Sequence, residues 1–136
     1  MKLIRLVPVL LSLALLLVAV LLPNTALRQL RVDHHGFNLV MGWAEMIGPP
    51  INAVHLVIFF LLGMSIRIAL PDTAPGKLMA GVGCLAAISE MVQWWVPGRT
   101  ARLSDLVQDV IGALVGVLLV IGVQFLWRRG WRSPDA

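Results

Sequence analysis

Long apolar runs alternate with short polar segments along the chain. Four runs have the length of a membrane span, at about 3–22, 51–70, 78–96 and 106–127. The hydrocarbon core of a bilayer is about 30 Å thick, so roughly 20 helical residues cross it. A helix also satisfies its own backbone hydrogen bonds in lipid. The pattern therefore predicts four membrane-spanning helices.

The first apolar run resembles a signal sequence because Lys2 and Arg5 give it a basic start. Its apolar stretch exceeds the usual core of about 7–15 residues, and no A-x-A cleavage site precedes Pro23. We interpret it as a retained helix. The segment 23–50 that follows is predicted to be a loop on the outer side, with an apolar second part at 36–50.

The composition supports a membrane protein. Charged residues make up 13% of the 136 residues, against about 25% in soluble domains, and the mean hydropathy is +0.88. Because the chain is short and has no long polar linker, residues 1–136 are predicted to form one domain. The predicted fold is an all-α integral membrane four-helix bundle, and the sequence predicts no cofactor.

The distribution of Lys and Arg predicts the orientation of this bundle. If the N-terminus is cytoplasmic, seven basic residues lie inside and four outside, which favours cytoplasmic N- and C-termini. The inner set is Lys2, Arg5, Arg67, Lys77, Arg128, Arg129 and Arg132, and the outer set is Arg28, Arg31, Arg99 and Arg102. Trp127 and Trp131 then mark the inner interface, and Trp94 and Trp95 the outer one.

The basic balance does not predict nucleic-acid binding. The net charge is +4, but the basic residues flank apolar runs, where they orient helices and meet lipid headgroups. No basic stripe with stacking aromatic residues supports a nucleic-acid site. Membrane lipids are therefore the predicted partners, and an oligomer is compatible with the sequence but not required by it.

The polar residues of the spans are predicted to meet in the outer third of the bundle. An Asp at the centre of a membrane helix costs about 2.5–3.5 kcal/mol, so intramembrane ionisable residues indicate a functional site. We expect the segment 36–50, including Trp43, to pack over this outer pocket and lie near Glu90. The candidate residues are His55, Glu90, Gln93, Arg99, Asp105 and Asp109.

Structural roles compete with this interpretation. Ser104 is a candidate N-cap, and Asp105 suits the positive end of a helix dipole. Arg99 and Arg102 could contact lipid headgroups, and His55 could serve as an interhelical hydrogen-bond donor.

Two further patterns concern packing and metal binding. His34 and His35 lack the additional ligands that a metal site needs, so they are predicted to be solvated, and no metal is predicted.

Small residues four apart let helices approach closely and are predicted to assemble the bundle. These residues are Gly83, Ala87, Gly112 and Gly116.

Two stretches of the chain resemble the VanZ-like family of small bacterial membrane proteins. INAVHLVIFFLLG at 51–63 is similar to the start of a family helix and places His55 at its histidine. ISEMVQWWVPGRTARLSDLVQDVIGALVG at 88–116 matches E-x-x-Q, P-x-R, a following Asp and G-x-x-x-G. Two departures are that Ile51-Asn52 replaces the usual Asp-Lys and that Asp109 stands where Asn is usual.

The resemblance implies a multi-pass protein of the bacterial cytoplasmic membrane. The family is named after a protein linked to teicoplanin resistance, which implies a role in the cell envelope and an effect on glycopeptide susceptibility. We expect the outer polar site to bind a lipid-linked or cell-wall component. Two alternatives remain open: an intramembrane enzyme, in which Arg99 holds a lipid phosphate and His55 acts with Glu90 or Asp105, and a proton-coupled transporter relaying through Glu90 and Asp109. No established catalytic motif is present.

Overall fold

A computed structural model describes residues 4–46, 53–99 and 102–130, and all regular structure within these ranges is helical. A short 3-10 turn, Ile4–Leu6, leads into the first helix. The six α-helices are α1 (Val7–Leu21), α2 (Asn24–Asp33), α3 (His35–Met46), α4 (Ala53–Ala69), α5 (Pro75–Gln93) and α6 (Leu103–Gly130).

The all-α prediction is confirmed, and α1, α4, α5 and α6 lie close to the four predicted spans. Ile4–Leu21 and Leu103–Arg129 are long and apolar enough to cross a membrane, whereas Ala53–Ala69 is apolar but shorter. α5 has 19 residues but contains Lys77, Glu90 and Gln93. Length and composition thus identify two candidate membrane-spanning helices.

The predicted outer loop 23–50 is wrong in its local structure, because it contains α2 and α3. Its polarity suggested a loop. However, no Gly or Pro interrupts residues 24–33, and Leu27 and Leu30 recur at helical spacing. Polarity in this segment therefore marks the exposed face of a helix. Residues 47–50 lie outside the described part.

α4 is the central helix of the bundle. It packs most extensively against α6 and also contacts α1, while α5 packs mainly on α6. The buried core contains apolar side chains from α1, α4, α5 and α6, because an apolar helix surface is stable when neighbouring helices cover it. This core consists of Leu16, Val20, Ile58, Phe59, Leu62, Val82, Ala86 and Ala113.

Glycines hold α4 and α6 at a very short separation. A Cβ atom on Gly112 would lie 2.5 Å from the Leu56 carbonyl oxygen, and one on Gly116 would overlap the Phe60 carbonyl. These contacts agree with the packing role predicted for both glycines. The prediction is wrong for Gly83, because a Cβ there would meet nothing within 4 Å. Ala87 is only half-buried, beside a cavity.

The four long helices alternate in direction, as predicted. The C-terminal ends of α1 and α5 meet the N-terminal ends of α4 and α6, as contacts of Arg99, His55 and Gln93 show. We call this end of the bundle the polar end. At the opposite end Ser12 of α1 lies beside Ser65 of α4, and we call it the serine end.

Candidate functional site

Three buried side chains from three helices form a chain of contacts at the polar end. His55 Nδ1 lies 3.4 Å from Asp109 Oδ2, and Gln93 Nε2 lies 3.2 Å from His55 Nε2. Their exposed fractions are 1% for His55, 2% for Gln93 and 0% for Asp109. Polar groups this deeply buried need partners, and the structure brings these residues together as predicted.

The contacts of His55 assign roles to its two ring nitrogens. When the Gln93 amide donates to Nε2, that nitrogen accepts, and the ring proton lies on Nδ1. Nδ1–H then donates to the Asp109 carboxylate. At 3.4 Å this hydrogen bond is long and therefore weak.

Glu90 connects α5 to the beginning of α6. Its Oε2 accepts a hydrogen bond of 2.9 Å from the backbone N–H of Arg102, the residue before α6 begins. Helix starts leave N–H groups unsatisfied, and a carboxylate is a favourable partner for them. Glu90 is 7% exposed, and its Oε1 has no hydrogen-bond partner in the described part of the protein.

Asp105 is also buried at the polar end, in the first turn of α6. Ser104 Oγ donates to its Oδ1 at 3.1 Å. The prediction that Ser104 is the N-cap is wrong, because α6 begins at Leu103 and Ser104 is its second residue. The position of Asp105 still suits the positive end of the helix dipole.

Arg99 lies in the turn between α5 and α6 and is half-buried. Its Nη2 donates to the carbonyl oxygens of Ala19 at 2.9 Å and Leu22 at 3.3 Å, both at the C-terminal end of α1. Burial lowers the pKa of the Arg99 guanidinium from its ordinary value, and the charge of Glu90 opposes this shift. Sequence reasoning placed Arg99 at this level but missed its attachment to α1.

A cavity of about 270 Å³ extends from Arg99 and His55 between the first four helices. We call it the Arg99 cavity. Its other lining residues are apolar, so it combines a cationic end with a hydrocarbon wall. They are Leu15, Val18, Ala19, Leu22, Leu27, Leu30, Phe37, Met41, Val54 and Ile58.

A second cavity, of about 250 Å³, approaches the polar end from the side of α5 and α6. We call it the Glu90 cavity, because Glu90 lines it together with Trp94, Arg102 and Leu103. Glu90 is thus reached from one side and His55 from the other. The cluster lies between two cavities.

α3 covers only one side of the polar end. Phe37 and Met41 line the Arg99 cavity, in agreement with the prediction for segment 36–50. Trp43 instead lines a separate apolar cavity against α1 and α4, and no described residue of α3 lines the Glu90 cavity. Trp43 and Glu90 thus line different cavities, and the expected approach of Trp43 to Glu90 stays a prediction.

His34 and His35 lie where α2 ends and α3 begins, and both are exposed. This placement agrees with the prediction that they are solvated. They lie outside the group of His55, Glu90 and Asp109, whose potential ligand atoms are mutually close.

Comparison with known proteins adds one match. The model of the VanZ/LLP1 family matches residues 9–127, which is most of the chain. Neither the curated proteins nor the solved structures gave a match. The matched range includes all six candidate residues of the polar end.

Proposed function

Because the chain belongs to the VanZ/LLP1 family, we propose that it binds an anionic lipid or lipid-linked cell-wall component in a bacterial membrane. The protein is a multi-pass protein of the cytoplasmic membrane, with both termini in the cytoplasm. The ligand binds at the polar end, which faces the outer leaflet. Its headgroup meets Arg99, and its hydrocarbon part enters the Arg99 cavity.

The exposed surfaces of the helices support a membrane location. Large apolar side chains are more than half exposed on α1, such as Leu10 and Leu17, and on α6, such as Leu118. Such continuous apolar surface is unfavourable in water and suits contact with lipid tails. Trp94 and Trp95 at the polar end and Trp127 at the other end are exposed, as expected for side chains at the two interfaces.

The ligand proposal rests on the Arg99 cavity, which is apolar except at the end where the Arg99 cation lies. Arg99 Nη2 is bound to α1, but its Nε is buried without a hydrogen-bond partner in the described part of the protein. Guanidinium groups bind phosphate and carboxylate through several N–H donors. Arg99 therefore supplies a donor for an anionic headgroup beside walls that suit an acyl or prenyl chain.

Lipid analysis of the purified protein tests this proposal. We expect an anionic lipid to copurify with the wild type and to be lost in Arg99→Ala, which removes the cation. A second variant, Leu30→Trp, fills the cavity from α2 and should also exclude the lipid. This variant keeps Arg99 and its bonds to α1.

The matched control is Val32→Trp, because Val32 lies on the same helix but is 84% exposed. It should retain the lipid. Retention of the same lipid by both Arg99→Ala and Leu30→Trp would place the ligand elsewhere and overturn the proposal. Size-exclusion chromatography verifies that each variant is folded.

An effect on glycopeptide susceptibility follows if the ligand is a cell-wall precursor. Expression of the wild type in a susceptible bacterium should change the inhibitory concentration of teicoplanin, while Leu30→Trp should not. Equal inhibitory concentrations with wild type, with Leu30→Trp and with an empty vector would exclude this role.

The contact between His55 and Asp109 favours enzymatic action on the bound headgroup as a second candidate. A carboxylate that orients a histidine is a common arrangement for proton transfer. In that case Asp109→Asn should abolish conversion of the copurified lipid while the lipid stays bound. Unchanged lipid after incubation with the wild type would exclude this function.

A further inference from the structure

The polar end contains three metal-binding side-chain types from three different helices. His55, Glu90 and Asp109 each offer one potential ligand atom, and these atoms all lie within 4.8 Å of one another. All three residues are buried, with at most 7% of their surface exposed. Two carboxylates at this separation repel each other in a medium of low dielectric constant, so they share the site only when one of them takes up a proton or a positive charge compensates them.

Both carboxylates also keep an unused oxygen. Glu90 Oε2 accepts from the Arg102 N–H and Asp109 Oδ2 contacts His55, but Glu90 Oε1 and Asp109 Oδ1 have no hydrogen-bond partner in the described part of the protein. A buried carboxylate oxygen without a partner is costly. This observation, which is independent of the clustering, indicates that a ligand completes the site.

We propose that His55, Glu90 and Asp109 bind one divalent transition-metal cation. The two carboxylates and the divalent ion form a neutral unit, which suits the interior of a membrane bundle better than two buried anions. The imidazole ligand favours an ion such as Zn²⁺ over Mg²⁺, and the two carboxylates also suit Mn²⁺. The site goes beyond the proposed lipid binding and does not depend on it, and it departs from the sequence prediction of no metal.

The surrounding hydrogen bonds suit such a centre. Metal-binding histidines usually donate their other ring N–H to a fixed partner. With His55 Nδ1 on the ion, Nε2–H would donate to the Gln93 side-chain oxygen after rotation of the amide, since Gln93 already contacts Nε2. The Arg102 N–H fixes Glu90 in the same way. Binding draws the ligand atoms inward, because they lie about 2.0–2.2 Å from a bound Zn²⁺.

The Glu90 cavity supplies a route for the ion. Glu90 lines it, and Trp94 and Arg102 belong to the turns at the polar end of the bundle. An ion entering there meets the Glu90 carboxylate before the fully buried Asp109. The bond between Arg102 N–H and Glu90 Oε2 leaves the second oxygen for the ion.

The test is metal binding by the full-length protein in detergent after treatment with a chelator. Calorimetry with Zn²⁺ and with Mn²⁺, followed by elemental analysis, should give one bound ion per chain for at least one of them. Mg²⁺ at the same concentration should not displace it. The experiment uses a protein in which the exposed His34 and His35 are both replaced by Ala, so that surface binding does not contribute.

Glu90→Gln and Asp109→Asn should each weaken binding by more than about 100-fold, because loss of a supporting partner alone costs about 10–100-fold. Asp72→Asn is the control: it neutralises an exposed acid in the turn between α4 and α5, outside the polar end, and should retain binding. Failure of both ions to bind, or equal affinity in all three variants, would overturn the proposal. Should Asp109→Asn not fold, Glu90→Gln and His55→Gln decide the question.

Metal content and lipid content are measured separately, so failure of one proposal does not imply failure of the other. Leu30→Trp should lose the lipid and keep the metal. Glu90→Gln should lose the metal, while its Arg99 cavity stays intact. Loss of metal in Leu30→Trp to the same extent as in Glu90→Gln would overturn the assignment to these three residues.

Discussion

Both ends of the bundle contain buried polar groups, but these groups obtain their hydrogen bonds in different ways. At the serine end Ser12 Oγ donates to Pro8 O at 2.9 Å and Ser65 Oγ to Leu61 O at 2.7 Å. Each hydroxyl is satisfied within its own helix, and the two oxygens lie 3.3 Å apart across the contact. Local satisfaction of this kind costs little and needs no ligand.

The polar end depends on partners from other helices. His55 contacts Gln93 of α5 and Asp109 of α6, and Glu90 of α5 accepts from the backbone before α6. Two carboxylate oxygens remain without a partner in the described part of the protein. Polarity in an apolar bundle indicates a site when the groups are ionisable and incompletely satisfied, and the serine end meets neither condition.

The largest loss of stability is expected from Gly116→Ala, which forces α4 away from α6. A Cβ there overlaps the Phe60 backbone, and the backbone cannot yield as a side chain can. We expect destabilisation by about 3 kcal/mol, measured by SDS titration of the protein in micelles. His55 should also lose contact with Asp109.

Gly122→Ala is the control for this variant, because Gly122 is exposed on the same helix and has nothing within 4 Å of its Cβ position. It should be neutral or stabilising by up to about 1 kcal/mol. Similar destabilisation by the two substitutions would mean that the close approach of α4 and α6 is not the cause of the lost stability.

Asp109→Ala should have the next largest effect. It removes the carboxylate that contacts His55 Nδ1, and the loss of a buried hydrogen-bond partner costs about 1–3 kcal/mol. The same SDS titration measures the loss. A change near zero would mean that His55 obtains no stabilisation from Asp109 in the folded protein.

Replacing His55, Gln93 and Asp109 together by Leu should be less harmful than Asp109→Ala alone, because these three side chains contact one another and are removed together. Well-packed apolar residues often substitute for a buried polar pair without loss of stability. We expect the free energy of unfolding to stay within about 1 kcal/mol of wild type, while metal binding is lost. A triple variant less stable than Asp109→Ala would indicate that these three polar residues serve the fold itself.

Ser12→Ala should have the smallest effect. Its hydroxyl bonds mainly to its own helix, and interhelical hydrogen bonds in membrane proteins average about 0.6 kcal/mol. The free energy of unfolding should change by no more than this value, and the lipid and metal contents should equal those of the wild type. Loss of either ligand would show that the serine end communicates with the polar end.

The amino-acid sequence by itself determined the helical class, the approximate positions of the four long helices and the end of the bundle at which the polar residues meet. These follow from local rules: the length of apolar runs, the rise of a helix and the alternation of direction at each turn. Gly112 and Gly116 could be recognised as packing residues for the same reason. The sequence was misleading at 24–33, because a polar segment is compatible with both a loop and the exposed face of a helix, and here it is a helix.

Only the tertiary structure decided which polar residues touch. Arg99 bonds to α1, about 80 positions earlier in the chain, and Glu90 bonds to the backbone before α6. It also decided that α3 covers the His55 side of the cluster and leaves the Glu90 side open. Helix periodicity gives the depth of a side chain, but the rotation of each helix about its axis depends on packing. That rotation directs His55, Glu90 and Asp109 to a common point.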